Sequence, residues 1–144
     1  MIQLKNSFGS TYLTIEHDVQ NNWIFYRWRG FIRAHEIKEG FSKILEVVSE
    51  SKCGAVLGDH SSIVGPWNEC NDWLIKEWTP LAVKVGFKYW AIYTGDDLFS
   101  NISLELFLFS DRSKVYYWVH VFDGIAPARD WLGMMVKKQP SISQ

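Results

Sequence analysis

The stretch AVLGDHSSIVGPWNEC, residues 55–70, decides how the rest of the chain is interpreted. Its first four residues (55–58) form a short apolar run, which is typical of a strand covered on both faces of a sheet. Pro66 stands where proline is tolerated best, in the first turn of a helix, and apolar residues at helical spacing follow it. The stretch therefore predicts a strand, a polar turn from Asp59 onward and a helix, the succession that builds parallel α/β sheets.

Two β-prone runs precede this stretch. YLTIEHDV (12–19) and WIFYRWRG (23–30) are rich in aromatic and β-branched residues, and a short polar turn separates them. This pattern predicts a β-hairpin whose turn, at 20–22, tolerates positive φ. The next segment, residues 35–50, predicts a helix with one apolar face, formed by Ile37, Phe41, Ile44, Leu45 and Val48.

The second half of the chain continues the alternation of helices and strands. The helical stripe after Pro66 is interrupted by Thr79-Pro80, which predicts a kink or a second short helix capped by Thr79. This stripe consists of Trp67, Cys70, Leu74, Trp78, Leu81 and Val85.

Two further segments are predicted to be strands, FKYWAIYTG (87–95) and KVYYWVHVF (114–122).

Two further segments are predicted to be helices. Residues 96–110 fit both a helical and an alternating pattern, and their position between two strands favours the helix, with Asp96-Asp97 as its N-cap. Residues 123–135 predict a last helix. The helical pattern of the first segment runs through Leu98, Ile102, Leu106 and Phe109, and the inward residues of the second are Ile125, Ala128, Trp131, Leu132 and Met135.

The predicted order of elements is therefore ββαβαβαβα. A hairpin followed by repeated strand–helix–strand crossovers indicates an α/β fold with a mixed, largely parallel β-sheet packed with helices. A chain of 144 residues is normally one domain. We assign residues 1–136 to this domain and expect residues 137–144 to be a flexible C-terminal tail.

Charge and composition restrict the classes of partner. The formal net charge of -1 gives no basic field for nucleic acid. No apolar run approaches the roughly 18 residues of a membrane helix, and the first residues lack the apolar core of a signal peptide. We therefore expect a cytoplasmic protein, with Cys53 and Cys70 as free thiols. The four histidines share no metal-ligand spacing, so neither a metal nor a cofactor is predicted.

Asp59, His60 and Ser61 are the residue types of a hydrolase, but they are consecutive. A catalytic serine needs a histidine ring beside it and an acid that orients this ring, and adjacent residues rarely point together. The chain also lacks a G-x-S-x-G elbow. We predict that Asp59 and the neighbouring serines bond backbone amides instead, and we assign no catalytic residue. Loops at the carboxyl ends of parallel strands nevertheless bind ligands in open α/β sheets.

Aromatic residues make up 16% of the chain, with eight Trp among them. Aromatic side chains pack cores, but they also mark interfaces and ligand grooves, and we expect part of this surplus at the surface. Trp67 and Trp78 share the core stripe of their segment, whereas Trp73 is offset from it. Trp73 is therefore a candidate for an exposed interface residue.

The element order and several local patterns resemble the STAS and SpoIIAA-like family of small α/β domains. The similarity extends from about Thr11 to Met135. The patterns that carry it are WRG (28–30), AVLGDHSSIVG (55–65), WNECNDWLIKEWTPLAVKVGF (67–87) and VHVFDGIAPARDWL (119–132).

The resemblance implies a non-enzymatic regulatory or binding domain that recognises a protein partner or a small apolar ligand, with homodimerisation as a further expectation. In sporulation antagonists of this family, a serine in a motif similar to Asp-Ser-x-Gly is phosphorylated and switches partner binding. This chain lacks that motif between Asp59 and Gly65, so Ser61 and Ser62 are candidate phosphorylation sites by position alone. The predicted recognition surface consists of Asp59, His60, Ser61, Ser62, Trp67 and Trp73.

An alternative hypothesis places a ligand pocket at the same strand ends. A related group of the family is compared with lipid-carrying SEC14 domains. The alternative function is therefore a carrier of a small molecule or lipid-like ligand near Asp59, and below it in rank stands an enzyme that uses the same pocket.

Overall fold

The two aromatic runs at the start of the chain form an antiparallel hairpin, as predicted. In the structure, a computed structural model that describes residues 1–138, β2 (Thr11–Asp18) pairs with β3 (Trp23–Gly30). Asn22 has a φ of 61° in the turn, which confirms the expected positive φ. An unpredicted strand, β1 (Ile2–Lys5), pairs with β2, and its half-buried Ile2 and Leu4 pack against the core.

The remaining elements alternate as the hydrophobic periodicity predicts. They are α1 (Ala34–Ser51), β4 (Ala55–Ile63), a 3-10 turn (Asn68–Cys70), α2 (Asn71–Trp73), a π-helical turn (Leu74–Trp78), α3 (Thr79–Lys84), β5 (Tyr89–Thr94), α4 (Leu98–Ser110), a 3-10 helix (Arg112–Tyr116), β6 (Trp118–Phe122) and α5 (Ile125–Lys138). The α/β class with a mixed sheet is thereby confirmed.

The six strands lie in the sheet in the order in which they occur in the chain. β1 to β3 are antiparallel, and β3 to β6 are parallel. Because every right-handed crossover advances in the same direction, α1, segment 68–84 and α4 share one face of the sheet. α5 covers the other face, where Ala128 and Leu132 pack against Trp23, Leu57 and Tyr93.

An aromatic cluster fills the core between the sheet and the three helical segments. Trp78 lies at its centre, with ring centroids 5.1 Å from Phe41 and 5.8 Å from Trp90. The Trp78 indole nitrogen donates a 2.6 Å hydrogen bond to the Phe41 carbonyl oxygen in α1. Buried indoles need such a partner, and this bond fixes segment 68–84 against α1.

Segment 68–84 is continuous through Pro80, which the sequence predicts to interrupt it. The π-helical turn before Pro80 contains one residue more per turn than an α-helix, and this irregularity accommodates the missing backbone donor. The prediction that Thr79 caps a second helix is wrong, because its backbone is helical. Its hydroxyl donates to the Ile75 carbonyl oxygen at 3.1 Å.

The orientation of α4 differs from the sequence pattern. Its apolar stripe is exposed, and the helix instead buries two serines together with Leu104 and Phe107. In α5, Ile125 is also exposed, whereas Ala128 and Leu132 are buried as predicted. α5 includes Lys137 and Lys138, the first residues of the predicted tail, and residues 139–144 lie outside the described part of the chain.

Two helical glycines should respond in opposite ways to alanine. At Gly40 in α1, a Cβ would overlap the Trp28 ring and lie 2.8 Å from Leu13, whereas at Gly133 in α5 it meets nothing within 4 Å. Alanine gains up to about 1 kcal/mol in helix propensity, but overpacking a core costs roughly 1–3 kcal/mol. We expect Gly133→Ala to raise the free energy of unfolding and Gly40→Ala to lower it, as measured by urea denaturation. Stabilisation by both substitutions would contradict the packing of α1 on β3.

Candidate functional site

Strand β4 is longer than its apolar run predicts, and this changes the position of the polar residues. It extends to Ile63, so residues 59–62 belong to the strand, and the prediction of a turn there is wrong. β4 lies between two parallel neighbours, and its hydrogen-bonded register continues through Asp59 and His60. Side chains alternate along a strand, so Asp59 and His60 lie on opposite faces of the sheet.

His60 belongs to a buried hydrogen-bonded chain on the α1 face. The Trp90 indole donates to the Tyr26 hydroxyl oxygen at 3.1 Å, and this hydroxyl lies 2.7 Å from Nε2 of His60. Since the Tyr26 oxygen accepts from Trp90, its own proton is free to be donated to Nε2. A neutral His60 then carries its proton on Nδ1, which is buried and has no partner within the described residues.

Burial also determines the charge of this histidine. It lowers the pKa of His60 from 6.5 to about 4, and the Asp59 carboxylate opposes the shift only in part. His60 is therefore neutral at physiological pH. Its ring lies edge-on to Trp67, with centroids 6.0 Å apart, so the hydrogen-bonded chain ends at His60, which packs against this tryptophan.

Asp59 belongs to a separate ion pair on the α5 face. Its Oδ2 accepts a 2.6 Å bond from Nε of Arg27, and its Oδ1 accepts from the backbone and the hydroxyl of Ser61 at 2.8 and 2.6 Å. Burial raises the pKa of the Asp59 carboxyl, but the bonds from Ser61 and Arg27 outweigh it and hold the pKa below its ordinary value. The predicted bond from Asp59 to a backbone amide is thus confirmed. Asp59 is a paired carboxylate.

These contacts show that Asp59, His60 and Ser61 do not form a nucleophilic triad. The Ser61 hydroxyl donates to Asp59, and the His60 ring points to the opposite face of the sheet. A triad needs the histidine between the acid and the nucleophile, an arrangement that the alternation along β4 excludes.

A cleft opens at the carboxyl ends of β3 and β4. It has a volume of about 410 Å³, and residues 31–34 with Ile37 form one wall, while residues 66–69 form the other. Ile32, Ile37 and Trp67 are buried and form an apolar floor, whereas Arg33 and Glu69 are exposed on the two rims. The cleft therefore combines an apolar interior with one charge of each sign at its entrance.

Hydrogen bonds hold both walls in place. The backbone amide of Trp67 donates to Ser103 at 3.0 Å, and its indole donates to Ser100 at 3.3 Å. The Cys70 thiol, which directly follows the second wall in the chain, lies 3.2 Å from the Ala34 carbonyl oxygen in the first wall and ties the two walls together. These contacts give a preformed cleft.

Phe31 leans over Gly65 at the mouth of this cleft. Gly65 has a φ of 80°, and a Cβ there would lie 3.3 Å from the Phe31 ring. Glycine thus provides both the left-handed backbone and the space for the ring. Phe31 remains 59% exposed, so its ring offers an open apolar surface beside the cleft.

The structure does not bring all the predicted surface residues together. Asp59 and His60 are buried on opposite faces of the sheet, and only Ser61 and Ser62 are exposed on β4. Trp67 lies in the floor of the cleft. Trp73 is half-buried, with the Lys38 ammonium 6.0 Å above its ring, and it lines a separate groove along α1. The six residues from Asp59 to Trp73 therefore do not lie on one exposed surface.

The wall formed by residues 31–34 and Ile37 was not predicted from the sequence. Phe31 and Arg33 follow the WRG pattern, directly after a strand that runs parallel to β4. Parallel strands end at the same edge of a sheet, so the signal was the position of these residues after β3. Tyr26, the partner of His60, and Trp90, which donates to Tyr26, were not identifiable because hydrogen bonds between residues far apart in the sequence leave no local pattern.

Within residues 1–138, no three histidine, cysteine or acidic side chains are grouped as a metal site would require. None of the helices in this range combines the length and the apolarity needed to cross a membrane. Cys53 and Cys70 are both buried free thiols.

The buried His60 makes stability depend on pH. Since its pKa falls from 6.5 in the unfolded chain to about 4 in the folded one, only the unfolded chain takes up this proton between these values. We expect the free energy of unfolding to fall by up to roughly 3 kcal/mol as the pH drops from 6.5 to 4. Denaturant titrations at several pH values measure this slope.

The substitution His60→Gln provides the control. Glutamine keeps an acceptor for the Tyr26 hydroxyl but does not titrate, so the slope between pH 6.5 and pH 4 should become markedly smaller. Equal slopes for the two proteins would show that His60 does not carry the effect.

Comparisons of the chain with protein-family models, with curated proteins and with solved structures give no match. The resemblance to STAS and SpoIIAA-like domains therefore rests on the sequence patterns alone, and the chain is established as an α/β domain with a six-stranded mixed sheet.

Proposed function

We propose that this chain is a non-enzymatic, cytoplasmic binding module of the STAS and SpoIIAA-like type, and that it recognises an apolar side chain of a partner protein. The observation that carries the proposal is the cleft between residues 31–34 and 66–69. It lies at the edge of the sheet where open α/β folds bind ligands.

The composition of the cleft suits a protein partner. Binding hot spots are buried apolar anchors surrounded by a polar rim. Here the Trp67 ring and Ile37 supply the apolar floor, and Arg33 and Glu69 supply a rim of mixed charge. Such a rim favours a peptide with its own polar groups flanking one apolar side chain.

A small apolar ligand is the second candidate for the same cleft. Its volume of about 410 Å³ falls within the range of small-molecule pockets, roughly 300–1,000 Å³. A carrier would retain such a ligand through purification. Native mass spectrometry distinguishes the two functions, because a bound small molecule adds a defined mass to the chain.

Phosphorylation, if it regulates this module, suits Ser62 better than Ser61. The Ser61 hydroxyl already bonds the Asp59 carboxylate, which would repel a phosphate. Ser62 is exposed and lies opposite Arg29 in the register of β3 and β4. Phosphate on Ser61 and not on Ser62, found by peptide mapping, would contradict this assignment.

The cleft can be tested with peptides selected on the wild-type chain from a random library. Phe31→Asp places a charge at the apolar mouth of the cleft. We expect it to raise the dissociation constant of the selected peptides by about tenfold or more. Titration calorimetry measures the affinities, and amide chemical shifts around Trp67 report the position of the peptide.

Val19→Asp is the matched control. Val19 is 75% exposed in the turn between β2 and β3, and this turn lies at the far end of β3 from the cleft. Its substitution should leave the affinities unchanged. If Phe31→Asp binds the selected peptides as tightly as the wild type does, the cleft is not the recognition site.

A further inference from the structure

Helix α4 exposes a continuous apolar stripe. Leu98, Ile102 and Leu106 are four residues apart and Phe109 follows after three, so they lie on one side of the helix. Together with Phe99, their exposed fractions run from 41% at Ile102 to 87% at Phe109. A helix of a monomeric protein normally turns such a stripe toward the core.

The orientation of α4 is fixed by contacts on its opposite side. Ser100 and Ser103 are buried there, and their hydroxyls accept the two hydrogen bonds from Trp67. Leu104 and Phe107 pack in the core beside them. Rotating the stripe inward would break these bonds, so the stripe stays outward in the folded chain.

Strand β6 is unprotected at the same side of the molecule. It pairs only with β5, and its other edge is unpaired within residues 1–138. Natural edge strands carry lysine, proline or bulges that prevent pairing with another chain. The sequence WVHVF (118–122) has none of these. Since α4 is the last helix of its layer and β6 is the last strand of the sheet, the helix and the strand lie at the same side of the molecule.

The available apolar area suffices for an interface. Phe99, Phe109 and Tyr116 each expose more than half of their surface. At about 150–250 Å² per aromatic side chain, they supply roughly 300–550 Å² per copy. A specific interface needs roughly 500 Å² from each partner. The aliphatic residues of the stripe add to this area.

The charges at the two ends of α4 favour a second copy of the chain as the partner. Asp96 is exposed before the helix, and Arg112 and Lys114 are exposed after it. When two copies of α4 lie antiparallel, the acidic end of each meets the basic end of the other. A two-fold interface requires this self-complementarity. Membrane-surface helices instead carry several basic residues on the polar face, whereas Glu105 is the only charged residue of α4.

We propose that the α4 stripe and the edge of β6 form a homodimer interface. In this dimer two copies meet across a two-fold axis, with their α4 helices antiparallel and their β6 edges adjacent. The interface is distinct from the cleft, so the proposal stands independently of what the cleft binds.

Sedimentation velocity of the full chain over micromolar concentrations tests the proposal. The wild type should sediment as a dimer, and Leu106→Glu should raise the dissociation constant by about tenfold or more. Val19→Glu adds the same charge to an exposed apolar position in the turn between β2 and β3 and should leave the dimer unchanged. A monomeric wild type, or a Leu106→Glu protein that dimerises as well as the wild type, overturns the proposal.

A charge swap tests the antiparallel arrangement. Asp96→Lys and Arg112→Asp should each weaken the dimer, and the double variant should restore it, because the exchanged charges again face each other across the two-fold axis. Weakening by each single variant without recovery in the double variant overturns the arrangement. Circular dichroism confirms that each variant is folded.

Discussion

The burial of β4 on both faces is the constraint on which the site depends. A polar side chain in such a strand has no water to bond with, and leaving it unpaired costs about 1–3 kcal/mol. His60 therefore bonds Tyr26 on one face, and Asp59 pairs with Arg27 on the other. These two residue types could serve acid–base chemistry elsewhere, but here each is committed to a structural partner.

The order of the strands explains where the open surfaces lie. Because the strands follow one another across the sheet, the crossover helices accumulate on one face. The first crossover and the second leave a cleft between α1 and segment 68–84. Within residues 1–138, the last crossover leaves α4 without a further helix beside it. The sequential order of the strands thus produces both the cleft at the carboxyl edge of the sheet and the apolar surface of α4 at its side.

The sequence predicted those elements whose local pattern and tertiary environment agree. The hairpin, the central strands and the buried Trp67 and Trp78 follow from periodicity, and Asp97 caps α4 as expected, with Oδ1 accepting from Ser100 at 2.9 Å. Strand β1 was missed because four residues give too short a pattern.

The prediction failed where long-range contacts override local preference. Aspartate and serine favour turns, but the pairing of β4 on both sides keeps them in the strand. The stripe of α4 identified a helix correctly, yet periodicity cannot show which side of a helix meets the core. That side was decided by the bonds from Trp67 to Ser100 and Ser103.

The π-helical turn at Leu74–Trp78 sets the angular relation between the two ends of segment 68–84. Each helical residue advances the chain by about 100° around the axis, so a turn that contains one extra residue rotates everything beyond it by about that angle. Trp78 is thereby directed at Phe41 in the core while Trp67 faces the cleft. A shortening of this turn by one residue would leave the helix intact but misalign the two tryptophans. The extra residue of the π-helical turn therefore couples the shape of the cleft to the packing of the core.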